Sequence, residues 1–204
     1  MNSASKKILV LGTKNKDKLR ELKRLLKGAK LRALSPADFP GCPEAAETGR
    51  TFEANAKQKA RAYSKFTGSL ALADDSGLRV DALGGRPGVY SARFAGPGCT
   101  YEDNNRKLLR LLQKTPPSKR GAKFVCVVAL YDAGKLVGVV RGECRGRIAQ
   151  APRGRNGFGY DPVFIPDGFS KTFAELPKTQ KNKISHRGRA MRAARRLLLH
   201  SGFV

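Results

Sequence analysis

The chain has 204 residues, of which 40% are hydrophobic and 28% charged, a composition that excludes wholesale disorder. Its charge is unusual, because 41 lysines and arginines against 16 aspartates and glutamates give a formal net charge of +25. Such an excess favours anionic partners such as nucleotides, nucleic acid or an acidic surface, although a generally basic surface is an alternative. Four widely spaced cysteines without a CxxC pair and only two histidines exclude a zinc knuckle, a disulfide scaffold and a His-rich metal site.

No segment predicts a membrane partner. The longest unbroken apolar run, Phe124 to Tyr131, is too short to span a bilayer. The start of the chain is typical of a first strand and not of a signal peptide. We therefore expect a reduced, cytoplasmic protein that forms one domain over residues 1–204.

Apolar patterning in the first half of the chain predicts alternating strands and helices. A short strand at Ile8–Leu11 precedes a helix from about Asn15 to Lys27, where leucines recur at helical spacing. Thr51 caps a second helix. A strand from Leu70 to Ala73 follows, and we expect it to end at the acidic residues after it. Stretches rich in proline, alanine and glycine predict loops at Ser35–Gly49 and Gly84–Gly98.

The second half predicts a helix, a hairpin and a basic closing helix. Four leucines between Leu108 and Leu112 mark the helix, and a hairpin turn at Asp132–Lys135 separates two apolar runs. The closing helix is amphipathic and passes through Met191 and Leu198. Strand–helix alternation followed by a hairpin predicts an α/β domain built around a mixed sheet.

The first candidate site is the loop of residues 12–18, Gly-Thr-Lys-Asn-Lys-Asp-Lys, where the first strand gives way to the first helix. Open backbone N–H groups and the positive end of the helix dipole make such a position an anion site, and the lysines add charge. The alternative is an ordinary capped helix start with solvated lysines. The glycine spacing of a Walker loop is missing.

The second candidate site is the adjacent pair Asp74 and Asp75 at the end of an apolar run. Two such carboxylates are costly unless a cation or a basic partner balances them. Carboxylate oxygens suit Mg²⁺, which usually binds through one or two of them together with substrate phosphates. The alternative is an Asp-rich turn with Gly77 in the left-handed conformation.

The third candidate site combines Gly157-Phe158-Gly159-Tyr160-Asp161-Pro162 with basic residues further along the chain. Glycines beside aromatic residues let a ligand approach the backbone while a ring stacks on a flat base. The alternatives are core packing for Phe158 and Tyr160, and a solvated helix position for His186.

Five segments in the same order resemble the inosine triphosphate pyrophosphatase family. The resemblance implies an elongated α/β fold with a mixed β-sheet flanked by helices, two lobes with the active-site cleft between them, and a homodimer. It implies Mg²⁺-dependent hydrolysis of inosine and xanthosine triphosphates, ribo or deoxy, to the monophosphate and pyrophosphate, which cleanses the nucleotide pool. The segments are GTKNKDKLREL at 12–22, TFEANAKQKA at 51–60, ADDSGLRVDALGGRPGVYSARFAG at 73–96, GFGYDPVF at 157–164 and KNKISHRGRA at 181–190.

The resemblance also implies roles for individual residues. Asp75 is implied as the metal-binding carboxylate and proton acceptor, with Asp74 and, more weakly, Glu47 as further acids on the metal side. The chain departs from the family pattern at Asp17, where a glycine is usual, and at Ala54, where an acid is common. The implied substrate contacts are the triphosphate loop Thr13, Lys14, Asn15, Lys16, Asp17 and Lys18, then Ser76, the base-side residues Phe158, Gly159, Tyr160 and Asp161, and the purine-reading Lys181, His186 and Arg187.

Base selection follows from hydrogen-bond polarity. Inosine and xanthosine present an acceptor at O6 and a donor at N1, whereas adenine presents the reverse pattern. Arg187 and His186 can donate to O6, and Asp161 can accept from N1–H. Adenine would leave buried polar groups unpaired, which is a strong basis for rejection.

Two competing interpretations remain at this stage. One is a related nucleotide pyrophosphatase for modified pyrimidines or methylated bases, similar to the septum-inhibitor family, against which the GFGYDP and ISHR segments argue. The other is a basic nucleic-acid-binding protein, which would interleave aromatic residues with its basic stripe. The acid-free tail after Glu175 contains a single aromatic residue, Phe203. We therefore expect nucleic-acid binding to be at most weak and non-specific.

Overall fold

The computed structural model describes residues 7–26, 28 and 30–203. Across this part of the chain the strands form one six-stranded sheet. The strands are β1 (Lys7–Leu11), β2 (Leu31–Leu34), β3 (Leu70–Val80), β4 (Gly121–Asp132), β5 (Lys135–Ile148) and β6 (Phe164–Pro166). The α-helices are α1 (Lys16–Leu25), α2 (Phe52–Thr67), α3 (Tyr101–Leu111), α4 (Lys178–Ile184) and α5 (His186–His200).

The sheet is mixed, as the sequence predicts. Its strand order is β2-β1-β3-β4-β5-β6. Strand β1 runs parallel to both β2 and β3, whereas β5 and β6 are antiparallel. The predicted hairpin joins β4 to β5 through Ala133 and Gly134, whose φ angles of 44° and 81° suit a tight two-residue turn. The α/β fold class is therefore confirmed.

The helices begin where the sequence places their caps. Asn15 precedes α1, and the Oγ1 of Thr51 accepts a 3.1 Å hydrogen bond from the N–H of Ala54 at the start of α2. Helix α2 ends at Thr67 and is followed by Gly68, which has a φ of 63° and provides the left-handed residue that commonly follows a helix. Helix α1 ends at Leu25, and the predicted terminus Lys27 lies outside the described residues.

Several acids are used in local caps. The side chains of Asp38, Asp103 and Glu175 each accept a hydrogen bond from the backbone N–H three residues earlier, at 2.6, 3.0 and 2.7 Å. These backbone hydrogen bonds hold the pKa of each of the three carboxyls below its usual value. Each of these acids is thereby committed to the start of a short helical segment.

Strand β3 is longer than the sequence predicts. We expected it to end at Ala73, but it continues through both aspartates to Val80. Leu78 and Val80 are fully buried in the core, so apolar strand residues lie on both sides of the acidic pair. The alternative of an Asp-rich turn with a left-handed Gly77 is therefore wrong, and the acids belong to a buried strand.

Short elements account for the other differences. Part of the predicted loop at 84–98 forms a 3-10 helix, Gly88–Arg93, which the Oγ of Ser91 supports by donating to the carbonyl of Gly88 at 2.7 Å. Strands β2 and β6 and helix α4 are too short to produce a clear periodic signal, and the sequence did not predict them.

The described residues divide into two compact units. Unit 1 contains the residues up to Asp75, Val127–Arg141 and the residues from Ala190 onwards, and unit 2 contains Ser76–Cys126 and Gly142–Arg189. In unit 1, Val10, Tyr63 and Ala71 form one buried cluster. In unit 2, the phenylalanines Phe124, Phe164 and Phe173 pack with centroids 4.7 to 6.0 Å apart. None of the helices in the described ranges is both long and apolar enough to cross a membrane.

Candidate active site

The loop at residues 12–18 is shaped by two short side chains. The Oδ1 of Asn15 accepts hydrogen bonds from the N–H groups of Asp17 and Lys18, each at 3.0 Å. The Oγ1 of Thr13 accepts from the N–H of Asn15 at 3.2 Å. Asn15 thus caps helix α1, as the alternative of an ordinary capped helix start predicts. The loop also presents the exposed lysines Lys14 and Lys16.

Gly12 fixes the approach of this loop to the sheet. Its N–H donates to the carbonyl of Leu72 on β3 at 2.7 Å. A Cβ at this position would lie 2.7 Å from the Cδ2 of Tyr63 on α2. Only glycine therefore lets the loop pass this closely between α2 and β3.

Lys18 connects the loop to the acidic pair. Its Nζ lies 3.5 Å from the Oδ2 of Asp74, whose side chain is fully buried. A buried carboxylate needs a cationic partner, and the first turn of α1 supplies one. The structure thus brings the first two predicted sites together within unit 1.

Asp75 lies in a group that we call the acid–lysine cluster, formed by the buried Asn55, Lys59, Asp74 and Asp75 and the exposed Glu47. The Nδ2 of Asn55 donates to the Oδ2 of Asp75 at 2.9 Å. The Nζ of Lys59 donates to the Oε1 of Glu47 at 2.7 Å and lies 3.9 Å from the Oδ1 of Asp75. One buried ammonium group therefore faces carboxylates from two other segments of the chain.

The cluster perturbs the ionisation of both central groups. Burial raises the pKa of the Asp75 carboxyl above its usual value, although the ammonium of Lys59 and the hydrogen bond from Asn55 oppose the rise. Burial alone would lower the pKa of Lys59, but the carboxylates of Asp74, Asp75 and Glu47 outweigh it and raise that pKa. Lys59 is accordingly a cation at neutral pH, and Asp75 is a stronger proton acceptor than an exposed aspartate.

Helix α2 also positions the segment that carries Glu47. The Oδ1 of Asn55 accepts from the N–H of Gly49 at 2.7 Å, and the Nε2 of Gln58 donates to the Oγ1 of Thr48 at 3.2 Å. The segment at 47–49 is therefore held along one side of α2. Glu53, the acid nearest to the departure at Ala54, is exposed and pairs with Lys57 on the same helix, so it does not enter the cluster.

Asn55 and Lys59 are functional candidates that the sequence interpretation missed. Each follows an apolar residue of α2 by three positions, Phe52 in one case and Ala56 in the other, so both fall on the buried face of the helix. Polar residues on an otherwise apolar helix face were the available signal.

The donor set is compatible with a hard divalent cation. No group of three or more His, Cys, Asp or Glu side chains is arranged to hold a metal within the described part of the chain. Asp75, Asp74 and Glu47 nevertheless offer oxygen donors, and Mg²⁺ commonly uses one or two carboxylates and completes its shell with substrate phosphates and water. The ammonium of Lys59 already lies against carboxylates here, which indicates that the region favours positive charge.

The third predicted site folds around Asp161 in unit 2. The Oδ2 of Asp161 accepts from the N–H of Phe158 at 2.8 Å and from the Nζ of Lys181 at 2.6 Å. Gly157 has a φ of 80°, and a Cβ there would collide with the Asp161 carboxylate. We call residues 157–161 the base-side loop; its shape depends on this carboxylate and on the glycine before Phe158.

Two cations lie over the ring of Phe158. The Nζ of Lys181 is 5.2 Å and the Cζ of Arg187 is 5.6 Å from its centroid, distances at which cation–π attraction operates. Arg187 also donates to the Oγ of Ser76 at 2.7 Å and is almost fully buried. Phe158 therefore orients two of the basic residues that the sequence singled out.

Tyr160 and His186, two further predicted residues of this site, are buried. Tyr160 donates its hydroxyl to the carbonyl of Ser91 at 2.9 Å, in keeping with the core-packing alternative. The ring of His186 stacks on Phe124 with centroids 4.5 Å apart and an interplanar angle of 8°. His186 is 4% exposed, so the alternative of a solvated helix position is wrong.

The mixed six-stranded sheet flanked by helices defines an α/β protein. The structure is similar to that of a HAM1 protein from Coxiella burnetii, with a TM-score of 0.87 and 41% identity over 95% of this chain and 99% of that one. The model of the Ham1 family matches residues 9–197, and the chain belongs to that family.

Relatives of known name agree with this membership. A protein of Desulforamulus reducens named dITP/XTP pyrophosphatase is 50% identical over 190 residues, covering 93% of this chain and 94% of the relative. A protein of the same name from Geobacter sulfurreducens is 50% identical over 183 residues, covering 90% and 92%. The family resemblance inferred from the five sequence segments is confirmed.

Proposed function

We propose that this enzyme is a nucleoside triphosphate pyrophosphatase that hydrolyses inosine and xanthosine triphosphates, ribo or deoxy, to the monophosphate and pyrophosphate. The observation that carries the proposal is the contact of the buried Lys59 with Glu47 and Asp75, next to Asp74, which Lys18 of the loop at residues 12–18 reaches. Relatives covering almost the whole chain bear the name of this activity.

The main difficulty of the reaction is charge. A triphosphate repels the attacking water, and the leaving pyrophosphate carries still more charge. Lys14 and Lys16 on the loop offer positive charge to phosphate oxygens, while the buried Lys59 balances the carboxylates of Glu47 and Asp75. Preorganised cations of this kind stabilise the charge that develops in the transition state.

Asp75 serves as the proton acceptor in this proposal. Its raised pKa makes it a better base than an exposed aspartate, while Lys59 and Asn55 favour its ionised form and limit the rise. A positioned base contributes typically ~10²–10⁴-fold to a rate. Asp75, with Asp74 or Glu47, would hold Mg²⁺, which when bound neutralises phosphate charge and activates water as a Lewis acid.

Base recognition belongs to the residues of unit 2. Arg187 and His186 donate toward the purine O6, and Lys181 is oriented by Asp161 and Phe158. Because the Asp161 carboxylate already accepts from Lys181 and Phe158, its part in selecting the base includes holding these groups in place. Adenine presents a donor where inosine presents O6, so it would leave the donors unpaired.

Further features of the family follow as part of the proposal. We assign both units to one catalytic domain, which works as a homodimer in the cytoplasm and cleanses the nucleotide pool.

The test of the proposed activity is to incubate the protein with inosine triphosphate and Mg²⁺ and to identify the products. Pyrophosphate and inosine monophosphate are expected, whereas release of orthophosphate, or no product, would contradict the proposal.

A further inference from the structure

We propose that Tyr101 and Asn105, on helix α3, are positioning residues that hold the base-side loop and thereby set the preference for one purine over another. The inference rests on the proposed function for its substrate class. Its structural part, that α3 fixes the conformation of residues 157–161, stands on contacts within unit 2 alone.

Asn105 makes the more specific of the two contacts. Its Nδ2 donates to the carbonyl of Gly159 at 3.0 Å, across 54 positions of sequence. Asn105 is only 7% exposed, so its side of this part-buried hydrogen bond is shielded from bulk water. A buried hydrogen bond to a loop carbonyl resists rotation of that peptide, because rotation would leave both partners unpaired.

The second amide atom of Asn105 supports a role beyond packing. A carbonyl can only accept, so the nitrogen must face Gly159 and the oxygen must face away from it. That Oδ1 is buried and has no hydrogen-bond partner among the described residues. A leucine would fill similar space without burying an unsatisfied acceptor, so the asparagine costs stability that its contact with the loop must offset.

Tyr101 provides the second contact from the same helix. Residues four apart lie on one face of an α-helix, so Tyr101 and Asn105 project to the same side of α3. The Tyr101 ring lies 6.0 Å, centroid to centroid, from the ring of Phe158. Two consecutive loop residues, Phe158 and Gly159, are therefore held by one helix face.

Gly159 shows why the loop needs such support. Its φ of 64° lies in the left-handed region, and a Cβ there would meet nothing, so glycine serves the backbone conformation and not a close approach. Glycine is also the residue with the most backbone freedom to lose. The Asn105 hydrogen bond restricts that freedom at the point where the chain turns.

Loss of the α3 contacts would affect the two proposed base-reading cations through Phe158. The same ring that contacts Tyr101 lies under Lys181 and Arg187. A displaced Phe158 would displace the two cations that recognise the base, while the acid–lysine cluster, which lies in unit 1, would keep its own contacts.

Asn104 offers a matched control. It is adjacent on α3, is 2% exposed, and also holds another segment: its Oδ1 accepts from the N–H of Ala95 at 2.7 Å and its Nδ2 donates to the carbonyl of Ala92 at 3.2 Å. If α3 mattered only for stability, Asn104→Ala, which loses two such bonds, would be at least as disruptive as Asn105→Ala in every assay.

The experiment compares Asn105→Ala, Tyr101→Leu and Asn104→Ala by amide hydrogen exchange of residues 157–161 and by kinetics on inosine and adenosine triphosphates. For Asn105→Ala we expect faster exchange in the loop and a preference for inosine triphosphate reduced roughly five- to tenfold, the effect of one hydrogen bond. The loss should lie mainly in KM, with affinity for inorganic triphosphate unchanged. Asn104→Ala should alter neither the loop exchange nor the preference.

Unchanged loop exchange in Asn105→Ala, or an equal shift of preference in Asn104→Ala, would overturn the proposal. If Asn105→Ala does not fold, Tyr101→Leu, which keeps an apolar side chain but removes the aromatic ring, decides by the same two measurements. If the wild-type protein hydrolyses no triphosphate, the proposed function fails, and the exchange data still decide whether α3 holds the loop.

Discussion

Lys59 and Asp75 face each other inside unit 1, with the lysine Nζ 3.9 Å from the carboxylate Oδ1 and both side chains less than one tenth exposed. The lysine comes from α2 and the aspartate from β3, so the contact exists only in the folded chain. Removing one partner of a buried ion pair leaves the other in a medium that solvates it poorly. If Asp75 is the proton acceptor that we propose, the pair also links catalysis to the stability of the site.

Replacing Asp75 by asparagine should abolish most turnover while the fold is kept. Asparagine has the same shape and retains an oxygen that can accept from Asn55, but it cannot accept a proton in the reaction. We expect kcat on inosine triphosphate to fall by at least ~10²-fold. Steady-state kinetics at saturating Mg²⁺, with circular dichroism as the folding control, provide the measurement.

Substitutions of two further acids, Asp74 and Glu53, serve as comparisons for Asp75→Asn. Asp74→Asn should be milder, because Asp74 has only a supporting role in the proposal, although the variant leaves Lys18 without its carboxylate partner. Glu53→Gln removes an exposed acid that pairs with Lys57 and should leave turnover unchanged. Near-normal hydrolysis by Asp75→Asn would place the proton acceptor elsewhere.

Replacing Lys59 by methionine should move the acidic limb of the pH–activity profile to higher pH. The ammonium of Lys59 opposes the effect of burial on Asp75, so without it the pKa of Asp75 rises further above its usual value. A smaller fraction of the base is then ionised at a given acidic pH. The profile of kcat/KM against pH for the wild type and Lys59→Met provides the test.

The exposed Lys57 is the control for this experiment. Lys57→Met removes an equal charge from the same helix, but this lysine pairs with Glu53 at the surface. Its profile should coincide with that of the wild type. An acidic limb that stays fixed in Lys59→Met would show that Asp75 does not govern it.

Replacing Arg187 by alanine should reduce selectivity for the base. The variant loses the proposed donor for O6 and one of the two cations over Phe158, so activity on inosine triphosphate should fall far more than activity on adenosine triphosphate. Arg189→Ala, which changes an exposed arginine two residues later, should leave the ratio unchanged. Equal losses on both substrates in Arg187→Ala would assign this arginine to phosphate binding or to the structure of α5.

The surplus of basic residues should bind duplex nucleic acid only weakly. One triphosphate can contact only a few of the 41 lysines and arginines. Binding to a phosphate backbone falls with salt with a slope near −0.9 per contact, and the Debye length is about 8 Å at physiological ionic strength. In a salt titration with a short labelled duplex, we expect sequence-independent binding that disappears near physiological salt. Tight retention there would make nucleic acid a physiological partner.

The sequence predicted the periodic elements and the acidic pair but not the partners of that pair. Leucine spacing and Thr51 were sufficient for α1 and α2, because both signals are local. The course of β3 through Asp74 was missed, since adjacent carboxylates usually end a strand unless cations from elsewhere reach them. Lys18 and Lys59 are those cations, and they come from two different helices.

For the base-side residues, too, local sequence signals did not predict the distant partners. Asp161 was identified from its motif, yet its hydrogen bond to Lys181 spans 20 positions and cannot be inferred from local spacing. His186 follows a polar stretch and was given a solvated alternative, but the ring of Phe124 covers it. Burial of a polar side chain depends on its distant neighbours, which periodicity does not report.

The capping carboxylates of Asp38, Asp103 and Glu175 have a consequence for the protein in solution. They keep their negative charge, and two of them also face arginines, Asp103 with Arg106 and Glu175 with Arg153, but the chain has only 16 acids against 41 bases. Folding therefore crowds like charges into a small volume, and that mutual repulsion opposes the compact state. Dissolved ions weaken the repulsion, so this protein should withstand heating better in a saline buffer than in a dilute one.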